Sequence, residues 1–509
     1  MVQMTHILAP MTPSAAENNA QPLPPALTWF LPNLSAWLWL ILFLFLIADP
    51  QRTKLVSGDG DANMHWRVGE YMLETKQIIR ADVFSHTMPG SPIVSKEWLA
   101  QILFALAGRA GGLTGLTILA AVVIASTFAL LHRQLVCEGS DLLVATLLIL
   151  IAAWASVPHW HARPHVFSFL MLLLWHQAIR RYKRQDCAGR LAVTLGVLTV
   201  LWVNLHGGYL AGFIVLGGYW MAALIEFKSP EARRKLITLT GIGLLCAVVS
   251  LLNPNGYRVH IHNLQFVRSS FFVNWLDEYA SNNFHLADSY GLLAWLAILF
   301  IALVVFRPRL STGNWIVLIA WCYFALYAVR NVTFFVILSA PIFAPVLSVA
   351  VRGSVLRDTS ERITRIDSPN RGWITVLAIA TIAVIVASPV TSMPSRSWPV
   401  AAVDFIQKNR DQFGGNMFNL YGWGGYLLQT LPEHKVFVDG RADFYGEALV
   451  RDYDEVDELR PHCREVLERY EVQWTLLPVN HRLNQALALQ HEWQRVYIDE
   501  VAVIYCKKK

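Results

Sequence analysis

Two carboxylates stand two residues apart in the segment Gly58-Asp59-Gly60-Asp61-Ala62-Asn63-Met64-His65-Trp66-Arg67-Val68-Gly69-Glu70. A glycine between two aspartates lets the chain aim both side chains at one point. Such a pair can hold a divalent cation through hard oxygen ligands or supply a general base. The pair directly follows an apolar run, so it belongs at a membrane face, acting on something delivered from lipid. Loops after helices also often hold Asp and Gly, and a lone Asp-x-Asp is common, so the pair gains meaning only from context.

Three other sets of polar groups could do chemistry. His159, His161 and His165 share one short stretch with Arg163, and His206, His260, His262 and His285 fall in other inter-helix segments. Imidazole and guanidinium groups at a cavity could neutralise a phosphate as it leaves. The imidazoles could instead bind Zn or another divalent ion, or simply rest at the interface as polar-tipped rings. Arg330 lies between two apolar runs with almost no loop. A charge so near hydrocarbon needs a partner or a wet cavity, as a phosphate clamp or as a side chain snorkelling to headgroups. Asp439-Gly440-Arg441-Ala442-Asp443 follows a short apolar stretch. It reads as a binding turn or, more plainly, as a strand end with an internal Asp–Arg pair. A part in catalysis would require the C-terminal region to fold back over the first loop.

The elements that position these groups are mostly membrane-spanning. The 509-residue chain is 55% hydrophobic and only 15% charged, against about 25% for a soluble domain. Apolar runs long enough to span fall near 31–48, 112–131, 141–157, 165–179, 191–206, 208–226, 234–252, 289–306, 313–329, 331–351 and 372–389, about eleven in all. The 19 Trp and 16 Tyr suit a protein with two water–lipid boundaries. The net charge of +6 is no nucleic-acid signature, because most Lys and Arg fall between apolar runs. Basic loops stay cytoplasmic. Their alternation puts residues 1–28, a Pro-rich disordered lead, inside; loop 49–111 outside; and everything after about 390 outside.

Loop 49–111 is longer than a connector needs. It holds an amphipathic stretch at 66–78 and an apolar stretch at 97–106 that lies on or dips into the interface. The C-terminal part, 391–509, reads as a small α/β domain, with strands at 435–438, 474–477, 495–498 and 501–505 and helices at 400–408, 464–469 and 483–489. The six cysteines form no CxxC pair. Cys463 and Cys506 share the C-terminal domain and could form one disulfide in an oxidising compartment.

Asp61 through Glu74, with the run to Pro89, resembles the first-loop segment of the GT-C glycosyltransferases, multi-pass enzymes that use polyprenyl- or dolichyl-phosphate donors. The nearest pattern is that of a bacterial group with an Asp-x-Asp…His-x-Arg-x-Gly-Glu run, then a Pro-Phe-Ser-like segment, here Val83-Phe84-Ser85-His86-Thr87, then Lys96-Glu97-Trp98-Leu99. The likeness extends to Arg163-Pro164-His165, Asn204-Leu205-His206-Gly207-Gly208, Asn253-Pro254-Asn255-Gly256, Arg330-Asn331 and Val438-Asp439-Gly440-Arg441, and so covers nearly the whole chain. A weaker likeness links it to the oligosaccharyltransferase catalytic subunit. Here Val157–His165 carries no acid, and Trp423-Gly424-Gly425-Tyr426 lacks the Asp of that enzyme's acceptor motif. Both departures argue against peptide glycosylation.

The resemblance implies a mainly α, polytopic GT-C-like bundle over 29–390 with a soluble α/β domain outside. It implies Asp61, with Asp59, as the catalytic acid pair. It also implies that His65, Arg67, Glu97, His159, His161, Arg163, His165, His206, Arg330, Asp439 and Arg441 bind substrate. A divalent cation, Mg or Mn before Zn, would draw on Asp59, Asp61, His161 and His165. The expected reaction moves a sugar from a polyprenyl-phosphate donor to a glycan or lipid acceptor at the outer face of a bacterial inner membrane, with inversion and without nucleic acid. The alternatives are a flippase-like transporter of lipid-linked glycans and a non-catalytic accessory subunit.

Overall fold

In the computed structural model, residues 24–48, 50–58 and 60–508 are described, so most of the N-terminal lead, and Asp59, lie outside the described residues. An α-helix occupies each predicted apolar run: Leu34–Ile47, the later part of Trp98–Cys137, Leu142–Ser156, His165–Gln185, Ala188–Leu205, Leu210–Ile225, Pro230–Val249, Tyr290–Phe306, Thr312–Tyr327, Val332–Arg352 and Trp373–Val386. In hydrocarbon every backbone polar group must be satisfied within the segment, which selects helices. By length and composition six helices can cross a membrane, or seven if Leu34–Ile47 and Gln51–Ser57 count as one span. Thr312–Tyr327 and Trp373–Val386 are apolar but shorter, and Pro230–Val249 begins with Arg233, Arg234 and Lys235. The chain is a multi-pass membrane protein, and among the described residues six or seven of its helical segments are long and apolar enough to cross.

The helix Trp98–Cys137 breaks at Gly111 and Gly112, whose backbone is non-helical. The break separates the first-loop stretch at 98–110 from the spanning part. The amphipathic first-loop helix, Asp61–Thr75, does not rest its apolar face on lipid. Met64, Val68 and Met72 pack into one core with Trp398, Met417, Trp423, Leu427, Leu476 and Ile504 of the C-terminal region. An apolar stripe of this kind must be buried against something, and here the C-terminal domain supplies the partner.

That domain carries a sheet of β1 (Asn416–Asn419), β2 (Val472–Pro478), β3 (Trp493–Ile498) and β4 (Ala502–Lys507), in the order β1-β2-β4-β3. β1 runs parallel to β2 and the other pairs are antiparallel, with Leu476 opposite Ile504. The predicted strand at 435–438 is not part of this sheet. Its backbone is held elsewhere: Val436 N–H donates to Phe84, His86 N–H donates to the Val436 carbonyl, and Asn419 bonds Phe437 and Val438. The segment thus bridges the first loop to the domain. Cys463 and Cys506 are both free thiols.

Candidate functional site

Asp61 opens the helix Asp61–Thr75, where the unpaired N–H groups of the first turn favour a negative side chain. Its carboxylate forms an ion pair with Arg163. Arg163 sits just before the helix His165–Gln185, and its other terminal nitrogen lies 3.8 Å from Glu278. Glu278 in turn accepts a 2.9 Å bond from Arg330, which stacks 4.5 Å over the Tyr279 ring. Asp61, Arg163, Glu278 and Arg330 thus form a chain of alternating charge from four separate segments. Burial would raise the Glu278 carboxyl, but Arg330 and Arg163 outweigh it and hold the group below its usual value. Arg330 therefore has its partner, which a cation beside an apolar helix requires.

A second cluster adjoins it. Lys96 lies 2.5 Å from Asp443, and His262 donates to the same carboxylate oxygen at 2.6 Å. Burial opposes both charges, yet the Lys96 and His262 contacts hold Asp443 far below the usual carboxylate range, and Asp443 holds Lys96 above its own. Glu97 stands next to this pair. His206 Nδ1 accepts from the Gly208 N–H at 3.0 Å, so its proton sits on Nε2, which faces Glu97 at 3.6 Å. His65 Nδ1 is 4.0 Å from the other Glu97 oxygen. Burial, and secondarily the charge of Asp443, push Glu97 up to about 7 against the pull of Lys96, Arg163 and Arg330.

The C-terminal domain closes directly over Asp61. A methyl carbon at Gly440 would fall on the Asp61 carboxylate, and one at Gly425 would fall on the Gly60 carbonyl. Only glycine permits so close an approach. The Trp423-Gly424-Gly425-Tyr426 run is helical, within Tyr421–Thr430, and serves here as the contact face against the first loop. Tyr421 is half-buried near Asp61 and Asp439, and desolvation first, then those carboxylates, raise its hydroxyl well above its usual value.

Asp61, His65, Glu97, Arg163, His206 and Arg330 gather around these two clusters. His159 and His165 lie beside Arg163, with His165 Nε2 donating to the His159 carbonyl at 2.8 Å, and His161 Nε2 lies 3.2 Å from the Pro158 carbonyl. Arg67 stands apart: it lies 3.6 Å from Glu74 on its own helix. Asp439 and Arg441 bond to each other. They are buried in a fixed pair, with Arg441 also reaching Asp82 of the first loop at 2.9 Å and Tyr445 donating to Asp439 at 2.8 Å. The turn is a staple between domain and loop.

Of the four residues expected to hold a divalent ion, Asp59 lies outside the described residues. Among the described residues no three His, Cys, Asp or Glu side chains converge on one point. Asp61 is spent on Arg163, and ring nitrogens of His161 and His165 are turned to carbonyls. Sequence reasoning named His262, Lys96 and Asp443 within larger sets without giving them a place in the site, and it missed Glu278 altogether. The signal available for Glu278 was indirect: two cations, Arg163 and Arg330, needed an acid that their own loops lack.

Neither a family profile nor a curated protein sequence matches the chain. Solved structures do resemble it. The archaeal oligosaccharyltransferase AglB of Archaeoglobus fulgidus, in complex with an inhibitory peptide and a dolichol-phosphate, is similar over 87% of this chain and 69% of its own, at 14% identity and a TM-score of 0.54. ArnT from Cupriavidus metallidurans in the apo state is similar over 93% of this chain and 97% of its own, at 12% identity and a TM-score of 0.54. ArnT bound to undecaprenyl phosphate is similar over the same shares, at 13% identity and a TM-score of 0.50. The chain shares the fold of these AglB and ArnT structures.

Proposed function

We propose that the protein is a membrane glycosyltransferase that moves a sugar from a polyprenyl-phosphate donor to a glycan or lipid acceptor. The reaction takes place at the extracytoplasmic face of the bacterial inner membrane. The observation that carries this reading is the convergence of Asp61, Arg163, Glu278 and Arg330 beneath the C-terminal domain, at the membrane end of the first loop. Structures of this fold with dolichol-phosphate or undecaprenyl phosphate bound support a lipid-phosphate ligand.

In this reading Asp61 takes the proton of the acceptor hydroxyl as the oxygen attacks the anomeric carbon from the face opposite the phosphate. The bond from that carbon to the phosphate oxygen breaks, the polyprenyl phosphate departs, and the configuration inverts. Arg163 has two roles. Before the donor enters, it pairs with the Asp61 carboxylate; a phosphate arriving between Arg163 and Arg330 then shares the guanidinium and frees the carboxylate. Fixed cations aimed at a developing negative charge are an effective catalytic arrangement.

Purified protein given a polyprenyl-phosphate sugar and candidate acceptors is expected to release polyprenyl phosphate in step with product. Tight binding of the lipid-linked sugar without any release would instead indicate an accessory subunit, and transfer of the intact lipid across a bilayer would indicate a flippase. Gly440→Ala adds a specific check. Overpacking typically costs about 1–3 kcal/mol, and here the strain falls on the Asp61 carboxylate. Turnover is expected to fall roughly ten- to hundredfold with the fold retained; unchanged turnover would show that the closure over Asp61 is not needed.

A further inference from the structure

Glu97 is the one acid of the two clusters whose carboxylate makes no hydrogen bond among the described residues; its nearest partners, His206 and His65, stand at 3.6 and 4.0 Å, beyond ordinary hydrogen-bond length. Asp61, Glu278 and Asp443 are each matched to a cation: Arg163, Arg330 and Lys96. Among the described residues three cations therefore face three carboxylates, and an ionised Glu97 would add a fourth negative charge to them before any phosphate entered. A buried charge without a partner is costly, and the cheaper state is the neutral acid. The groups that face Glu97 are His65 of the first-loop helix, Lys96 beside it, Arg163, His206, Arg330, and Asp443 of the C-terminal domain.

Resting on the transferase reading above, we infer that Glu97 is a phosphate-binding residue that works as a neutral acid, donating its O–H to an oxygen of the bound lipid phosphate. Burial already pushes its carboxyl up to about 7. A phosphate among Lys96, Arg163 and Arg330 adds a like charge nearby, which raises a carboxyl further. The acid then adds a hydrogen-bond donor where a carboxylate would repel. Lys96 and the two arginines cannot supply this adjustment, because their charge is constant across the physiological range.

The test is binding of undecaprenyl phosphate to the full-length protein in phosphatidylcholine nanodiscs between pH 7 and 9. A phosphate monoester completes its second ionisation near pH 6, and burial pushes His206 well below its usual value, so neither titrates in this window. Wild-type affinity is expected to fall as pH rises, by about 30- to 100-fold across the window, as one required proton is lost. Glu97→Gln keeps the size and an N–H donor but cannot ionise; it is expected to bind within about threefold of wild type at pH 7 and to show no slope. Glu97→Ala is expected to bind roughly tenfold more weakly at pH 7. A flat wild-type profile overturns the inference, as does a slope that persists in Glu97→Gln. Failure of the wild type to bind undecaprenyl phosphate at any pH overturns the transferase reading itself. Equal, pH-linked binding of phosphatidic acid supports the role of Glu97 and counts against the polyprenyl specificity.

Discussion

Asp61→Asn is expected to lower sugar transfer at least about 100-fold, the lower end of what a general base contributes, while the protein stays folded. The substitution preserves shape and removes the charge that Arg163 now holds. Arg163 would retain Glu278 at 3.8 Å as a partner, so no cation is stranded. Arg67→Ala is the internal control. Arg67 is half-buried and faces Glu74 of its own helix, away from the two clusters, and its loss is expected to leave turnover within about twofold, as for substitutions away from a site. Rates of polyprenyl phosphate release from both variants decide the matter. Near-normal transfer by Asp61→Asn would remove Asp61 from the chemistry.

The second large effect concerns the fold. Arg441→Ala is expected to destabilise the protein by about 3–5 kcal/mol, the usual result of removing one partner from a buried ion pair. Arg441 sits between Asp439 and Asp82, both with fully buried side chains. Its guanidinium also lies over the rings of Phe84, Phe444 and Tyr445. The alanine variant leaves two buried carboxylates without their cation. Because one belongs to the first loop and the other to the C-terminal domain, the interface should loosen first. Chemical denaturation followed by tryptophan fluorescence, with protease sensitivity of the segment at 79–95, measures both. A loss below about 1 kcal/mol would mean that the staple is not what joins loop and domain.

Hydropathy alone located the helices, because a run such as 331–351 has no stable state in lipid other than a helix. Short runs of β-forming residues located β2, β3 and β4 to within two residues or so at each end. β1 was missed because Asn-Met-Phe-Asn is short and begins and ends with poor strand formers. The segment at 435–438 has strand composition but spends its hydrogen bonds on Phe84, His86 and Asn419, a choice set by how the loop docks. For the site, Asp61, Arg163 and Arg330 stood out as charges near apolar runs. Their partners did not, since Glu278 is 52 residues from Arg330 and Asp443 is 347 from Lys96. Only the docking of the C-terminal domain brings such pairs together, and docking follows from the shared core around Met64 and Trp423. The same docking turned Asp439 and Arg441 from candidate ligands into a structural staple.

An electron cryo-microscopy map of the protein with undecaprenyl phosphate tests the account most directly. Phosphate density is expected between Arg163 and Arg330, within reach of Lys96 and Glu97 and facing Asp61. Density at the far end of the helix His165–Gln185 instead, beside Arg180 and Arg184 near its C-terminus, would contradict it.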